Sequence, residues 1–211
     1  MKIVVKVGGS LVFSDNGADA KYLGKLIPVL ESVKNKHQLI VSIGGGRYLR
    51  NYMRYISMND KDREEIYIQL LYANVLLLSK MLKMKPLRTI DEIDEKTTGV
   101  IGGIAPGRST DANAAIAASI IKADMLVKMT NVDGIYDKDP KKYKDTKLFT
   151  KIKFSELKPK ERTGPVDYGV LDPLCIETIK KHKIKSFVIS GENPENLLKA
   201  IKGQQLGTLI S

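Results

Sequence analysis

The chain has 211 residues, of which 43% are hydrophobic and 28% charged, and its formal net charge is +11. This composition excludes a disordered chain, and the length suits one α/β domain better than two. No uninterrupted apolar stretch reaches the roughly 20 residues that a membrane-spanning helix needs, and residues 1–6 are too short and too interrupted for a signal peptide. The single cysteine, Cys175, cannot form an internal disulfide, so we expect a cytoplasmic protein.

The positive charge is compatible with nucleic acid, an anionic surface or an anionic small molecule as partner. The lysines are spread along the chain, and neither an RNA-binding motif nor a zinc-finger spacing is present. We therefore expect no nucleic-acid partner and no membrane partner. Most of these lysines indicate a solvated surface, and a site for nucleotide phosphates explains the remainder equally well.

The first half of the chain repeats one pattern, in which a short β-branched strand runs into glycines and then a helix. Strands are predicted at Lys2–Val7 and Gln38–Ile43, and amphipathic helices over residues 18–36 and 47–58. Such repetition predicts a mainly parallel sheet with helices on its faces.

The most apolar predicted helix covers residues 64–83. Its apolar positions lie nearly all the way round, so most of its surface must be buried. Two explanations stay open: it packs against a partner subunit, or it is a central helix of the core.

The second half continues the alternation of strands and helices. Ser109, Thr110 and Asp111 are residues that typically cap the start of a helix. Residues 99–103 are predicted as a short strand that enters another glycine turn, and further strands are predicted at Met125–Thr130 and 186–189. Helices are predicted at 112–123, 172–182 and Asn196–Ile201, with a weak helix at 153–158, a loop at 159–169 and an edge strand at 207–210.

Two glycine turns are candidate phosphate sites. Gly8-Gly9-Ser10 follows the first strand and lies near Lys6, and glycines without a Cβ let backbone N–H groups converge on an anion. Gly44-Gly45-Gly46 precedes a helix, whose N-terminus favours phosphate, and Arg47 and Arg50 follow in its first turns. Each turn by itself is equally compatible with a tight bend and exposed arginines.

Two further segments carry polar groups. Residues 102–111 combine glycines, Arg108 and two hydroxyl groups with Asp111, an arrangement that favours an anion at the start of a helix. The alternative interpretation of this segment is a plain N-terminal helix cap. Residues 130–140 place Tyr136 among carboxylates, as an aromatic platform for a base and ribose would, and their spacing does not fit an EF-hand. His37, His182 and Cys175 do not form a zinc-site pattern, so no protein metal site is predicted.

The order of these four segments resembles the amino acid kinase superfamily, and within it most closely the archaeal type of UMP kinase. The resemblance covers nearly the whole chain. It implies a three-layer α/β/α sandwich with a central mainly parallel sheet, as in carbamate kinase. It also implies one domain over residues 1–211, with an acceptor-binding half at about 1–110 and an ATP-binding half at about 111–211. Implied with it are ATP with Mg²⁺ as donor, UMP as acceptor, and a hexamer built as a trimer of dimers.

The resemblance also assigns roles to residues. Lys6 would stabilise charge on the phosphoryl group in transfer, and Asp111 would orient Lys6. The implied ATP contacts are Lys6, Gly9, Ser10, Gly46, Arg50, Thr130, Asn131, Tyr136 and Asp139. The implied UMP contacts are Gly45, Glu64, Ile104, Ala105, Pro106, Gly107, Arg108, Ser109 and Thr110.

Three positions of the acceptor half depart from the family pattern: Glu64 stands for an aspartate, Tyr67 for a glycine and Ile104 for a threonine. Two alternatives therefore stay open. One is another kinase of the superfamily, acting on isopentenyl phosphate, a carbamate or an acylated amino acid. The other is a nucleotide-binding storage or regulatory protein without catalytic turnover. The presence of both Lys6 and Asp111 argues against this second alternative.

Overall fold

The protein is described from a computed structural model that covers residues 1–140, 142–157 and 171–211. Eleven strands and seven α-helices are assigned in these ranges, with a short 3₁₀ helix at Ile90–Glu92. The strands are β1 (Lys2–Val7), β2 (Phe13–Ser14), β3 (Gly17–Ala18), β4 (Gln38–Ile43), β5 (Gly99–Ile101), β6 (Met125–Thr130), β7 (Ile135–Tyr136), β8 (Leu148–Phe149), β9 (Lys151–Ile152), β10 (Ser186–Ser190) and β11 (Thr208–Ile210). The helices are α1 (Gly9–Val12), α2 (Ala20–Lys34), α3 (Gly46–Met53), α4 (Asp60–Leu82), α5 (Thr110–Ile120), α6 (Pro173–His182) and α7 (Asn196–Ile201).

Seven strands form the central sheet in the order β5-β4-β1-β6-β10-β11-β9. The pairs from β5 to β10 are all parallel, whereas β11 runs antiparallel to β10 and parallel to β9. Two small hairpins, β2-β3 and β7-β8, lie outside this sheet. The predicted mainly parallel sheet is confirmed.

Helices cover both faces of the sheet because successive residues of each buried strand point to opposite sides. On β1, Ile3 and Val5 join one apolar cluster with residues of α2, α4 and α7. Val4 joins a second cluster with residues of α5 and α6. The result is the predicted α/β/α sandwich. Lys6 lies two residues after Val4, so its side chain faces the α5 and α6 layer.

Helix α4 is buried along one side only. Leu71, Val75 and Leu78 are buried, whereas an opposite stripe leaves four apolar side chains about 37% exposed, namely Ile66, Leu76, Leu77 and Met81. The interpretation of this helix as wholly enclosed by the core is therefore wrong for the single chain. By length and composition α4 meets the minimum for a membrane span, which core helices of soluble proteins also do.

Two further expectations are wrong. Residues 153–157 form a turn after β9 rather than a helix, because Glu156 N and Leu157 N both bond back to Lys153 O and no longer ladder follows. The last strand is not at the edge, because β11 lies between β10 and β9. The predicted loop at 159–169 falls outside the described residues.

Candidate active site

The loops that carry the predicted site follow the carboxyl ends of neighbouring parallel strands. β4 and then β5 lie on one side of β1, and β6 lies on its other side. The strand order therefore reverses between β1 and β6, and ligands of open α/β sheets bind in the crevice at such a point. The turns after β4 and β5 border this crevice on one side, and those after β6 and β10 on the other.

The first two glycine turns are packed backbone against backbone. A Cβ on Gly9 would overlap the Gly46 nitrogen and lie 2.6 Å from the Gly44 oxygen. Gly46 has a φ of +72°, which a residue with a side chain rarely adopts. Gly8 N donates to Met129 O at 2.9 Å, which fixes the first turn to the end of β6. Glycine is thus required at Gly9 by close approach, and at Gly46 by both close approach and conformation.

A buried cluster of charged side chains lies beneath these turns. Lys6 on β1 and Lys128 on β6 are partners in the parallel register, and both are less than 10% exposed. Their Nζ atoms lie 3.4 Å and 2.7 Å from the same atom, Asp111 Oδ1, in the first turn of α5. The predicted pairing of Asp111 with Lys6 is thus present in the structure, and Lys128 is a third member.

Burial and neighbouring charge set the protonation of this cluster. Burial lowers the pKa of Lys6 below its usual value; Asp111 opposes this shift and Lys128 adds to it. Burial disfavours the charged carboxylate of Asp111, but Lys128 and Lys6 together outweigh it and hold its pKa below the usual value. The Asp111 carboxylate is therefore kept ionised between two cations.

Lys128 was missed in the sequence interpretation. Its signal is a single lysine within the otherwise apolar strand Met125–Thr130, whose first five residues are all buried. A lysine is almost never fully buried unless it is paired. An isolated charge in a central strand could therefore have been identified as a candidate site residue.

On the β6 side, the turn residues surround a cavity of about 280 Å³. It is lined by Asn131, Val132, Asp133, Tyr136, Pro140, Ser190 and Glu192. Tyr136 Oη bonds to Asp133 Oδ2 at 3.1 Å. Thr130 O accepts from Gly191 N at 2.7 Å, so the loop after β10 closes one end.

The remaining predicted ATP contacts lie beside this cavity or at the glycine turns. Asp139 O accepts from the backbone N–H groups of Lys142 and Tyr143, which folds the segment after β7 into a turn. The Arg50 guanidinium lies 3.4 Å from Ser10 Oγ and joins the two glycine turns at the surface. Gly9 and Gly46 lie in the packed backbones described above.

On the β4 and β5 side, the segment Ile104–Thr110 links β5 to α5. Glu64 Oε2 accepts a hydrogen bond from Gly107 N at 3.1 Å, which ties this segment to α4. Ser109 caps α5 through Ala112 N and donates to Asp172, the cap of α6. Ser42 Oγ donates to Thr110 O at 2.9 Å.

The other predicted acceptor contacts differ in exposure. Ile104 packs against the second apolar cluster, Ala105 is half-buried, and Pro106, Gly107 and Arg108 are exposed. Gly45 is covered by Tyr67, whose ring carbon Cζ would lie 3.0 Å from a Cβ on Gly45. Tyr67 therefore occupies space directly beside a predicted contact.

The buried side of α4 supports these turns. Asn74 Nδ2 donates to Gly44 O at 3.3 Å. Leu71 Cδ2 would lie 2.5 Å from a Cβ on Gly103. Asn113 Nδ2 on α5 donates to Gly102 O at 2.9 Å. The β4 and β5 turns are thus held by two helices on opposite faces of the sheet.

No three His, Cys, Asp or Glu side chains cluster as metal ligands would in the ranges that the structure describes. Asp111 is engaged with two lysines, Glu64 with Gly107 N and Asp133 with the hydroxyl of Tyr136.

Comparison with known proteins gives full-length matches. The model of the amino acid kinase family matches residues 1–91 and 80–190. Uridylate kinase of Methanobrevibacter smithii is 34% identical over 224 residues, with 100% of this chain and 99% of the relative covered. The crystal structure of uridylate kinase from Archaeoglobus fulgidus has a TM-score of 0.87 and 32% identity, and both chains are covered completely.

A second kind of kinase shares the fold. Isopentenyl phosphate kinase of T. acidophilum, solved as a product complex, has a TM-score of 0.68 at 21% identity, with both chains covered completely. At this identity the likeness concerns the fold alone. The sequence similarity therefore favours the uridylate kinases over this alternative.

Proposed function

This chain belongs to the amino acid kinase family, and from that premise we propose that it transfers the terminal phosphoryl group of ATP to UMP, giving UDP and ADP. The observation that carries the proposal is the buried Lys6–Asp111–Lys128 cluster beneath two interlocked glycine turns. It places positive charge where the crevice between β1 and β6 would receive phosphates.

The chemistry needs no protein nucleophile. A phosphate oxygen of UMP attacks the γ-phosphorus in line, the bond from that phosphorus to the β,γ-bridging oxygen breaks, and ADP leaves. The Lys6 ammonium stabilises the negative charge on the phosphoryl oxygens during transfer. The glycine turns let backbone N–H groups approach the phosphates closely, because glycine has no side chain that would keep the phosphates away from the backbone. Mg²⁺ would enter bound to the ATP phosphates and would neutralise part of their charge.

We assign the two substrates to opposite sides of β1. ATP takes the side of β6 and β10, with its nucleoside in the cavity at Tyr136 and its phosphates at Ser10 and Arg50. UMP takes the side of β4 and β5, between Gly45 and residues 104–110, with Glu64 toward its ribose. Apart from the phosphate contacts at Ser10 and Arg50, this assignment divides the single domain into an acceptor half and a donor half at about residue 110.

The exposed stripe of α4 supports self-association. Four partly exposed apolar side chains on one helix face form a surface of the kind that protein partners cover. We assign this stripe to a dimer interface, and a hexamer of three such dimers is the expected assembly.

An acceptor panel tests the function. Purified protein with MgATP is offered UMP, CMP, AMP and isopentenyl phosphate while ADP release is followed. We expect turnover with UMP at least tenfold above that with every other acceptor. Preference for isopentenyl phosphate would establish the second kinase instead. ATP binding without turnover of any acceptor would contradict an enzymatic function.

A further inference from the structure

The register of β1 and β6 brings two lysines together at the centre of the sheet. Lys6 and Lys128 are direct partners on adjacent parallel strands, and both side chains face the layer of α5 and α6. Two like charges side by side in a buried position are unfavourable unless an anion lies between them. Asp111 supplies that anion, and its carboxylate lies closer to one lysine than to the other.

The shorter ion pair is the one with Lys128. Its Nζ lies 2.7 Å from Asp111 Oδ1, within charge-assisted hydrogen-bond distance, whereas Lys6 Nζ lies 3.4 Å from the same oxygen. The carboxylate is thus engaged mainly from the β6 side. Within these three side chains one ammonium charge is left over, and it falls on Lys6, the more loosely held of the two.

The position of Lys128 in the chain explains how it can influence both substrates. Lys128 lies two residues before Thr130, where β6 enters the loop of the donor-side cavity. Asp111 lies in α5, directly after the segment on the acceptor side. The Lys128–Asp111 pair therefore fixes the donor-side strand to the helix that bounds the acceptor side.

We propose that Lys128 is a positioning residue of the phosphoryl-transfer centre: by holding Asp111 from the donor side, it leaves the Lys6 ammonium free to turn toward the transferred phosphoryl group. This inference rests on the proposed kinase function. Without Lys128, Asp111 would draw Lys6 into a full ion pair, and the charge available to the phosphoryl group would fall. Lys128 itself acts through Asp111 and Lys6.

Lys128→Met tests the proposal, because methionine has a similar length and leaves Asp111 paired with Lys6. We expect kcat to fall at least 30-fold while the KM values for ATP and UMP change less than threefold. Lys128→Arg should recover at least a tenth of the wild-type kcat. Lys122→Met is the control, because Lys122 is 73% exposed in a surface ion pair with Glu95 and should leave kcat unchanged.

A second readout needs no turnover. The groups that face Lys6 are Asp111 from α5, Lys128 from β6 and Cys175 from α6, and Lys128 lowers the pKa of Lys6. NMR of the labelled Lys6 side chain should therefore show a higher pKa in Lys128→Met than in the wild type. This result can be obtained even if UMP proves not to be the acceptor, so failure of the two proposals can be told apart.

Two outcomes would overturn the role of Lys128. One is a kcat within twofold of wild type in a folded Lys128→Met protein, or a loss confined to KM. The other is a Lys6 pKa that stays the same or falls. Circular dichroism checks the fold, and if the methionine variant does not fold, Lys128→Gln is put through the same measurements with the same criteria.

Discussion

The backbones of Gly9 and Gly46 lie in such close contact that a Cβ on Gly9 would overlap the Gly46 nitrogen. The clash is with backbone, which cannot rotate away as a flexible side chain can. We expect Gly9→Ala to abolish detectable turnover and to lower the free energy of unfolding by about 2 kcal/mol or more. Steady-state kinetics and urea unfolding at fixed protein concentration measure both effects.

Gly24→Ala is the matched control for that substitution. Gly24 lies within α2, and a Cβ there would meet no atom within 4 Å. Alanine should therefore stabilise the helix by about 0.5–1 kcal/mol and leave kcat unchanged. Equal losses in the two variants would show that glycine flexibility, rather than the contact between the turns, is what matters.

Lys6→Met should lower kcat at least 100-fold, a loss of the size found when one preorganised donor to a transition-state charge is removed. The fold should remain, because Asp111 keeps its shorter ion pair with Lys128. Lys2→Met on the same strand removes only a surface ion pair with Glu95 and should keep kcat within twofold. Unchanged kcat in Lys6→Met would contradict the assigned role.

The same lysine predicts the alkaline limb of the pH profile. Burial lowers the pKa of Lys6 from its usual value of 10.5, so its charge is lost before that of a solvated lysine. We expect the kcat of the wild type to fall with rising pH below 10.5. Circular dichroism across the same range would distinguish this titration from unfolding, and a flat profile up to pH 10.5 would argue against it.

Asp111→Asn should lower the free energy of unfolding by about 3 kcal/mol at pH 7, because two buried ammonium groups lose their counter-charge. The folded pKa of Asp111 is depressed, so its contribution is complete above the unfolded value of about 3.9 and is lost as the pH falls through the folded value. Urea unfolding at several pH values should show the two proteins converging below about pH 4.

The control for that variant is Asp145→Asn. Asp145 forms an exposed ion pair with Lys138 and is itself 77% exposed, so its removal should cost less than about 1 kcal/mol. A constant difference between Asp111→Asn and the wild type at every pH would mean that its destabilisation arises from packing rather than charge.

Glu64→Ala should raise the KM for UMP about tenfold, because it removes the carboxylate that we assign to the ribose and that also holds the acceptor segment through Gly107 N at 3.1 Å. The KM for ATP should change less than twofold. The neighbouring Glu65→Ala, on the exposed side of α4, serves as control. Parallel changes in both KM values would place Glu64 outside the acceptor site.

Leu77→Lys should weaken self-association at least tenfold, because burial of a leucine is worth about 1.5–3 kcal/mol and a charge would now lie in the interface. Leu77 is 38% exposed on the α4 stripe, and Leu174 on α6, 37% exposed, gives the control Leu174→Lys. Sedimentation velocity measures both variants. The same assembly state for wild type and Leu77→Lys would exclude this stripe as the interface.

Much of the fold could be predicted because its signals are local. β1, β4, β6 and α7 begin and end where the sequence predicts, since buried β-branched runs and glycine breaks act over a few residues. The failures occurred where local preference is weak. Residues 153–157 are too short and too weakly periodic to specify a helix, and the position of β11 in the sheet depends on its pairing with the distant strands β9 and β10.

The sequence by itself determined the order of strands, glycine turns and helices, and with it the resemblance to the amino acid kinases. Only the tertiary structure decided which side chains share a space. Lys6 is separated from Asp111 and Lys128 by more than a hundred residues of chain, and the three side chains meet because parallel register aligns β1 with β6 while α5 packs across both. Tyr67 over Gly45 and the exposed stripe of α4 likewise follow from packing between distant elements, which no local pattern specifies.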